Sequence, residues 1–100
     1  MNELGLLAVF YNEMRARGLS NDAVFLNVDV NMVNQLKYLY KIETSLTDLE
    51  RLADICIANK WMQRTTADPD YNYLSLTDEG LKTIIKFEEQ ANAIPPSNPS

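Results

Sequence analysis

Histidine is absent from the 100-residue chain, and cysteine occurs once, as Cys56. A zinc site built from the usual histidine and cysteine ligands is therefore excluded. The three glycines are isolated from one another, so the sequence has no glycine-rich phosphate-binding loop. The carboxylates are plentiful, but no pair is marked as converging on one point. The sequence therefore predicts no enzyme, no metal site and no cofactor.

Long apolar runs are also missing, because no stretch approaches the roughly 20 residues that a membrane span needs. The start at Met1 lacks the basic residues of a secretory signal, so we expect a cytoplasmic protein. The composition, 46% hydrophobic and 23% charged, is that of one globular domain. We place this domain at residues 1–92 and expect residues 93–100, rich in proline and serine, to form a disordered tail.

Basic residues are outnumbered, with nine Lys and Arg against 14 Asp and Glu, a net charge of −5 and a pI near 4.5. This balance counts against nucleic acid as a partner, because phosphate contacts depend on Lys and Arg. Whether the chain can bind nucleic acid depends on the charge of the face that contacts it, and the net charge of the whole chain does not give that local charge.

The chain is organised around residues 46–80. Apolar residues recur at three- and four-residue steps from Leu46 to Ile57, which predicts a helix ending at Asn59, with Cys56 as a small buried hydrophobe. Ser45 is suited to cap its first turn, and Asn59 to end it in a left-handed conformation. Short extended runs follow at 61–65 and 73–76, separated by a turn at 67–72 that is rich in Asp, Asn and Pro. A last helix is predicted over residues 78–92, with Thr77 as its cap.

This order resembles the second half of a winged helix-turn-helix domain of the MarR and PadR type of transcriptional regulator. The segments that carry the resemblance are Asn59-Lys60-Trp61-Met62, Asp68-Pro69-Asp70 and Leu76-Thr77-Asp78-Glu79-Gly80. The resemblance implies a mainly α fold with a small two-stranded β-hairpin (α+β), in which residues 46–59 are the recognition helix and the turn forms the wing. It also implies a DNA-binding regulator that pairs through its terminal helices.

The first half of the chain supplies the remaining helices. Residues 2–17 read as a helix ended by Gly18, and residues 30–40 as a helix capped by Asp29. Between them, residues 23–26 favour a short helix, although the β-branched valines also permit a strand. Leu36, Leu39, Ile42, Leu46 and Leu49 have the spacing of a helix-turn-helix core. Two features depart from that motif, since Lys37 stands where a small residue is common and the turn lacks glycine.

The first helix carries two apolar stripes where a surface helix needs only one. It is either buried on two sides within the domain or forms a contact between two copies of the chain. We favour the contact and assign to a homodimer interface the residues Leu6, Val9, Phe10 and, from the last helix, Phe87.

In a helix-turn-helix, the outward residues at the start of the second helix enter the major groove. We therefore predict groove contacts by Thr44, Ser45, Thr47, Asp48 and Arg51, and contacts to the DNA backbone by Lys37, Lys41, Lys60 and Arg64. The predicted wing is acidic, and Tyr71 or Asn72 stands where the family commonly has an Arg. The alternative is a winged helix that docks a protein partner, which an acidic surface with aromatic residues Trp61, Tyr71 and Tyr73 also suits.

Overall fold

A computed structural model describes residues 1–67 and 70–93 of the chain. The elements in order are α1 (Glu3–Arg17), a single-turn 3-10 helix (Asn21–Ala23), α2 (Val30–Leu39), α3 (Leu46–Ala58), β1 (Met62–Arg64), β2 (Leu74–Leu76) and α4 (Asp78–Ala93). The two strands form an antiparallel hairpin. The predicted fold class, mainly α with a small two-stranded hairpin, is confirmed. Within the described ranges, no helix has the length and apolar character needed to span a bilayer.

Helix α1 forms the centre of the core and packs against α3 and α4. Its start is capped by the Asn2 side chain, which accepts from the Gly5 N–H at 2.9 Å, and Gly18 ends it at a φ of 66°. Leu6 and Phe10 have 0% and 1% of their surface exposed. Their assignment to a dimer interface is therefore wrong, because a single chain already buries both side chains. The second apolar stripe of α1 serves the interior of the domain.

The predicted helix over residues 23–26 is wrong: the backbone is extended at Val24, and the strand alternative is met by an isolated β-bridge at Leu26. The only helical turn here is the 3-10 helix that precedes Val24. Leu26 pairs with Leu74, each N–H donating to the other carbonyl at 2.9 Å. Val24 and Val28 are buried while Phe25 and Asn27 are exposed, the alternation of a strand with one covered face. This segment therefore extends the hairpin on the β2 side.

Helices α2 and α3 are consecutive and packed against each other, joined by the turn at residues 40–45. Asp29 caps α2 by accepting from the Met32 N–H, and Ser45 caps α3 by accepting from the Asp48 N–H, both at 3.1 Å. Lys41 takes the left-handed conformation in the turn, with a φ of 57°, where a glycine is common. Ile42 then donates its N–H to the Leu36 carbonyl at 2.9 Å and packs against the core.

Fewer residues of α2 face the core than predicted. Met32 and Leu36 are buried, but Leu39 is 72% exposed, so its assignment to the helix-turn-helix core is wrong. Tyr38 and Tyr40 are exposed as well, which indicates that the last turn of α2 extends past the core.

The end of α3 also differs in detail from the prediction. Asn59 has a φ of −83°, and Lys60 is the residue in the left-handed conformation, with a φ of 62°. Trp61 then donates its N–H to the Cys56 carbonyl at 2.9 Å, and its side chain packs against the core. The hairpin register pairs Met62 with Leu76 and Arg64 with Leu74.

The structure at the start of α4 shows what the Thr and Gly of the Leu-Thr-Asp-Glu-Gly segment do. The Thr77 hydroxyl accepts from the Gly80 N–H at 3.0 Å, which confirms the predicted cap, and the Thr77 N–H donates to the Trp61 carbonyl. A Cβ added at Gly80 would lie 1.9 Å from that carbonyl oxygen, so only glycine fits. The helix ends at Ala93; the rest of the predicted tail, residues 94–100, lies outside the described residues.

Candidate nucleic-acid interface

Helix α3 turns one face to the core and the opposite face to solvent. Its buried row consists of Leu49, Leu52, Ala53 and Cys56. At 100° per residue, the opposite side carries Thr47, Arg51 and Asp54, and all three are exposed. The predicted groove residues Thr47 and Arg51 therefore point outward.

Seven of the nine predicted DNA-binding residues lie together around the amino end of α3. They occupy the last turns of α2, the connecting turn and the first turns of α3: Lys37, Lys41, Thr44, Ser45, Thr47, Asp48 and Arg51. Among them, Thr44 is half-buried and the others are exposed. The Ser45 hydroxyl is used as the cap of α3, and Asp48 and Arg51 form an exposed ion pair at 3.9 Å. Such an exposed pair is weak, so the Arg51 guanidinium remains available to a stronger anion.

Lys60 lies apart from this group. It follows the carboxyl end of α3, about 20 Å from Ser45 along the helix axis at 1.5 Å per residue. Its carbonyl accepts from the Thr77 hydroxyl, at the end of the hairpin opposite to the wing. Lys60 thus lies at the foot of the hairpin and apart from the groove residues, and its DNA contact stays a prediction that the proposed interface does not include.

Arg64 points at the protein itself. Its guanidinium donates to the Asp70 carbonyl at 2.7 Å, lies 3.9 Å from the Asp54 carboxylate, and stands 5.0 Å from the centre of the Tyr71 ring. A guanidinium at that distance from an aromatic ring is within the range of a cation–π contact. The predicted contact of Arg64 with the DNA backbone would have to compete with all three partners.

Tyr71 connects three parts of the domain. Its hydroxyl donates to the Asp54 carboxylate on α3 at 3.0 Å, and its carbonyl accepts from the Val28 N–H at 2.8 Å. The ring packs against the core. The hydrogen bond to Asp54 raises the pKa of the Tyr71 phenol above its usual value, because the carboxylate is a partner for the protonated form only. Nothing in the sequence pattern points to this contact, since the two residues are 17 positions apart.

The charge around the outer face of α3 is mixed. The cations near it are Lys37, Lys41, Arg51 and Arg64, and the carboxylates are Glu43, Asp48, Glu50, Asp54 and Asp70. Along α3 the charges are interleaved: Asp48 and Glu50 precede Arg51, and Asp54 follows it. A phosphate backbone on this face would therefore meet attraction from Lys37, Lys41 and Arg51 and repulsion from the carboxylates between them.

The remaining assigned dimer residues are divided. Phe87 is 45% exposed on α4, whereas Val9 is half-buried and lines a small cavity of about 170 Å³ between α1 and α2. Of the four residues assigned to the dimer interface, Phe87 alone offers a large apolar surface to a second copy of the chain. An exposed aromatic pair, Phe25 and Tyr73, lines a shallow cleft of about 360 Å³ on the outer side of the hairpin.

Cys56 is buried, as predicted, and its thiol lies 3.7 Å from the Glu3 carbonyl oxygen. Burial, with a smaller contribution from the Glu3 charge, raises the pKa of this thiol to about 12. The thiolate needed for nucleophilic or metal chemistry is thus disfavoured. Over residues 1–67 and 70–93, the acidic and cysteine side chains form no group of three that is placed to hold a metal ion.

Comparison of the chain with protein-family models, with curated proteins and with solved structures found no significant match.

Proposed function

We propose that this chain is a cytoplasmic winged-helix protein that binds double-stranded DNA as a dimeric transcriptional regulator. The order of elements supports the winged helix: a helix, a short extended segment, the α2–α3 pair, a hairpin and a closing helix. The observation that supports DNA binding best is the exposed outer face at the start of α3, which carries Thr47 and Arg51 and comes shortly after the exposed Lys37 and Lys41 in the chain. In this geometry the hydroxyl and guanidinium reach base edges, and the two lysines contact phosphates.

Binding to a random duplex at low salt tests this function. Each phosphate contact contributes a slope of about −0.9 to the plot of log affinity against log salt. Phosphate contacts by Lys37 and Lys41 then predict a slope of roughly −2 for each copy of the chain. An affinity that does not change with salt, or no binding at all, would remove the proposal.

The second candidate function is docking of a protein partner on the same face. Two observations favour it: α3 carries Asp48, Glu50 and Asp54 against Arg51 alone, and Arg64 is engaged inside the domain. A partner with a basic surface would complement this region. The two functions separate in the low-salt experiment, since an interaction module of this kind shows no affinity for duplex DNA.

The dimer is proposed through α4, with Phe87 at its centre. Two copies on one duplex strengthen a weak half-site contact, because the second copy binds at a high effective concentration. Sedimentation of the unmodified chain should give a dimer at micromolar concentration, and Phe87→Glu should give a monomer with unchanged helical content. A monomer for both proteins would restrict the proposal to a single domain on DNA.

A further inference from the structure

We propose that Asp54, Arg64 and Tyr71 form a wing latch, which holds the hairpin loop against the recognition helix as one rigid surface. In this role Arg64 is a positioning residue and not a phosphate contact. The part of the inference that concerns DNA rests on the proposed function; the latch itself does not.

The latch joins the two arms of the hairpin to α3. Arg64 ends β1, and its guanidinium reaches across to the Asp70 carbonyl and to the face of the Tyr71 ring on the other arm. Tyr71 and Arg64 both reach the same Asp54 carboxylate on α3, at 3.0 Å and 3.9 Å. One carboxylate thus accepts from the phenol and attracts the cation, so loss of either partner weakens the hold on the other.

The returning arm is also fixed on its far side. The Tyr71 carbonyl accepts from the Val28 N–H, and the Tyr73 N–H donates to the Asn27 side chain at 2.8 Å. The arm therefore lies between α3 and the extended segment that precedes α2. These contacts tie the wing to both sides of the helix-turn-helix.

The latch explains two side chains, Asp54 and Tyr71, that direct DNA contact does not explain. Asp54 lies on the outer face of α3, where a free carboxylate would repel phosphates; its engagement by Arg64 and Tyr71 reduces that repulsion. The wing arm carries Tyr71 where the family resemblance leads one to expect an arginine for the minor groove. With its hydroxyl bonded to α3, Tyr71 orients the loop and leaves base reading to α3.

The first test measures amide hydrogen exchange in the wing and needs no DNA. Tyr71→Phe removes only the hydroxyl, and we expect the Val28 and Tyr73 amides to exchange about three- to tenfold faster, the effect of losing one modest hydrogen bond. Tyr73→Phe is the matched control, because that hydroxyl has no hydrogen-bond partner among the described residues. Unchanged exchange in Tyr71→Phe would overturn the latch.

The second test separates a positioning role from a phosphate contact. Duplex affinity is measured across a salt series for Arg64→Gln and Tyr71→Phe. The latch predicts that both variants bind more weakly with an unchanged salt slope, since no phosphate contact is lost. If Arg64 contacts a phosphate, Arg64→Gln instead reduces the slope by about 0.9 and Tyr71→Phe has no effect.

The two experiments test the latch and the DNA-binding function independently. If the unmodified chain binds no duplex, the proposed function is lost, while the exchange rates still decide whether the latch exists. If the chain binds DNA but Tyr71→Phe leaves the exchange rates of the Val28 and Tyr73 amides unchanged, the latch is refuted and the DNA-binding function stands.

Discussion

Gly80 shows how one residue can fix the position of an element. The first turn of α4 sits directly on the Trp61 carbonyl, and a Cβ at Gly80 would overlap that oxygen. The sequence marks this glycine as part of a motif, but only the contact explains why it is needed.

We expect Gly80→Ala to lower the free energy of unfolding by about 1–3 kcal/mol, the usual cost of forcing extra atoms into a packed site. Gly5→Ala is the matched control, because a Cβ there meets the flexible Met1 side chain at 3.1 Å and alanine favours a helix interior. Chemical denaturation measures both variants. Equal stability of the two would contradict the close approach of α4 to Trp61.

Cys56 gives a prediction for the dependence of stability on pH. The pKa of its thiol is about 12 when folded and 9.0 ordinarily, so the stability that it contributes is complete below pH 9 and is lost towards pH 12. At pH 10.5 the loss should be about 2 kcal/mol relative to pH 8. Chemical denaturation at the two values measures it, and Cys56→Ala corrects for every other titrating group. An identical pH dependence in that variant would refute the assignment.

At the scale of elements, the clear signals in the sequence were the caps and the long periodic helices. Asp29, Ser45 and Thr77 cap the predicted helices, and the hairpin runs fall within the predicted stretches. For the extended segment around Leu26 the helix was favoured over the strand alternative, because the alternation spans only a few residues and the partner lies 48 residues away at Leu74. Local periodicity cannot report a pairing of that kind.

Two leucines of α2 that appear to belong to one apolar stripe differ in burial, and this difference can be tested. Leu36 is buried and Leu39 is exposed, although both match the helix-turn-helix spacing. We expect Leu36→Ala to cost about 2–5 kcal/mol of stability and Leu39→Ala less than about 0.5 kcal/mol. Thermal or chemical denaturation distinguishes them, and a similar loss in both would place the end of α2 inside the core.

The candidate site was predictable in its location and not in its contacts. The pattern of α3 identified the outward residues Thr47 and Arg51, because the buried row is periodic. The predicted end of the helix at Asn59 already places Lys60 about 20 Å along the helix axis from Ser45, at 1.5 Å per residue. The contacts of Arg64 with Asp54 and Tyr71 are tertiary contacts, and the spacing of residues in the sequence does not predict them.

For the whole molecule, a net charge of −5 is compatible with DNA binding only if the cations are concentrated where the duplex lies. Lys37 and Lys41 come shortly before α3 in the chain, and Arg51 lies on its outer face. The central claim is therefore that these three cations, and no other cationic part of the described surface, contact the duplex.

One pair of variants tests this claim most directly. Lys41 and Lys60 are both exposed, both follow the end of a helix, and both have a left-handed backbone, with φ of 57° and 62°. Charge reversal to Glu changes each residue in the same way, so differences in stability should be small. Duplex affinity at low salt should fall at least about tenfold for Lys41→Glu, by loss of a phosphate contact and gain of repulsion, and change little for Lys60→Glu. Equal losses in the two variants, or a larger loss for Lys60→Glu, would contradict the proposed interface.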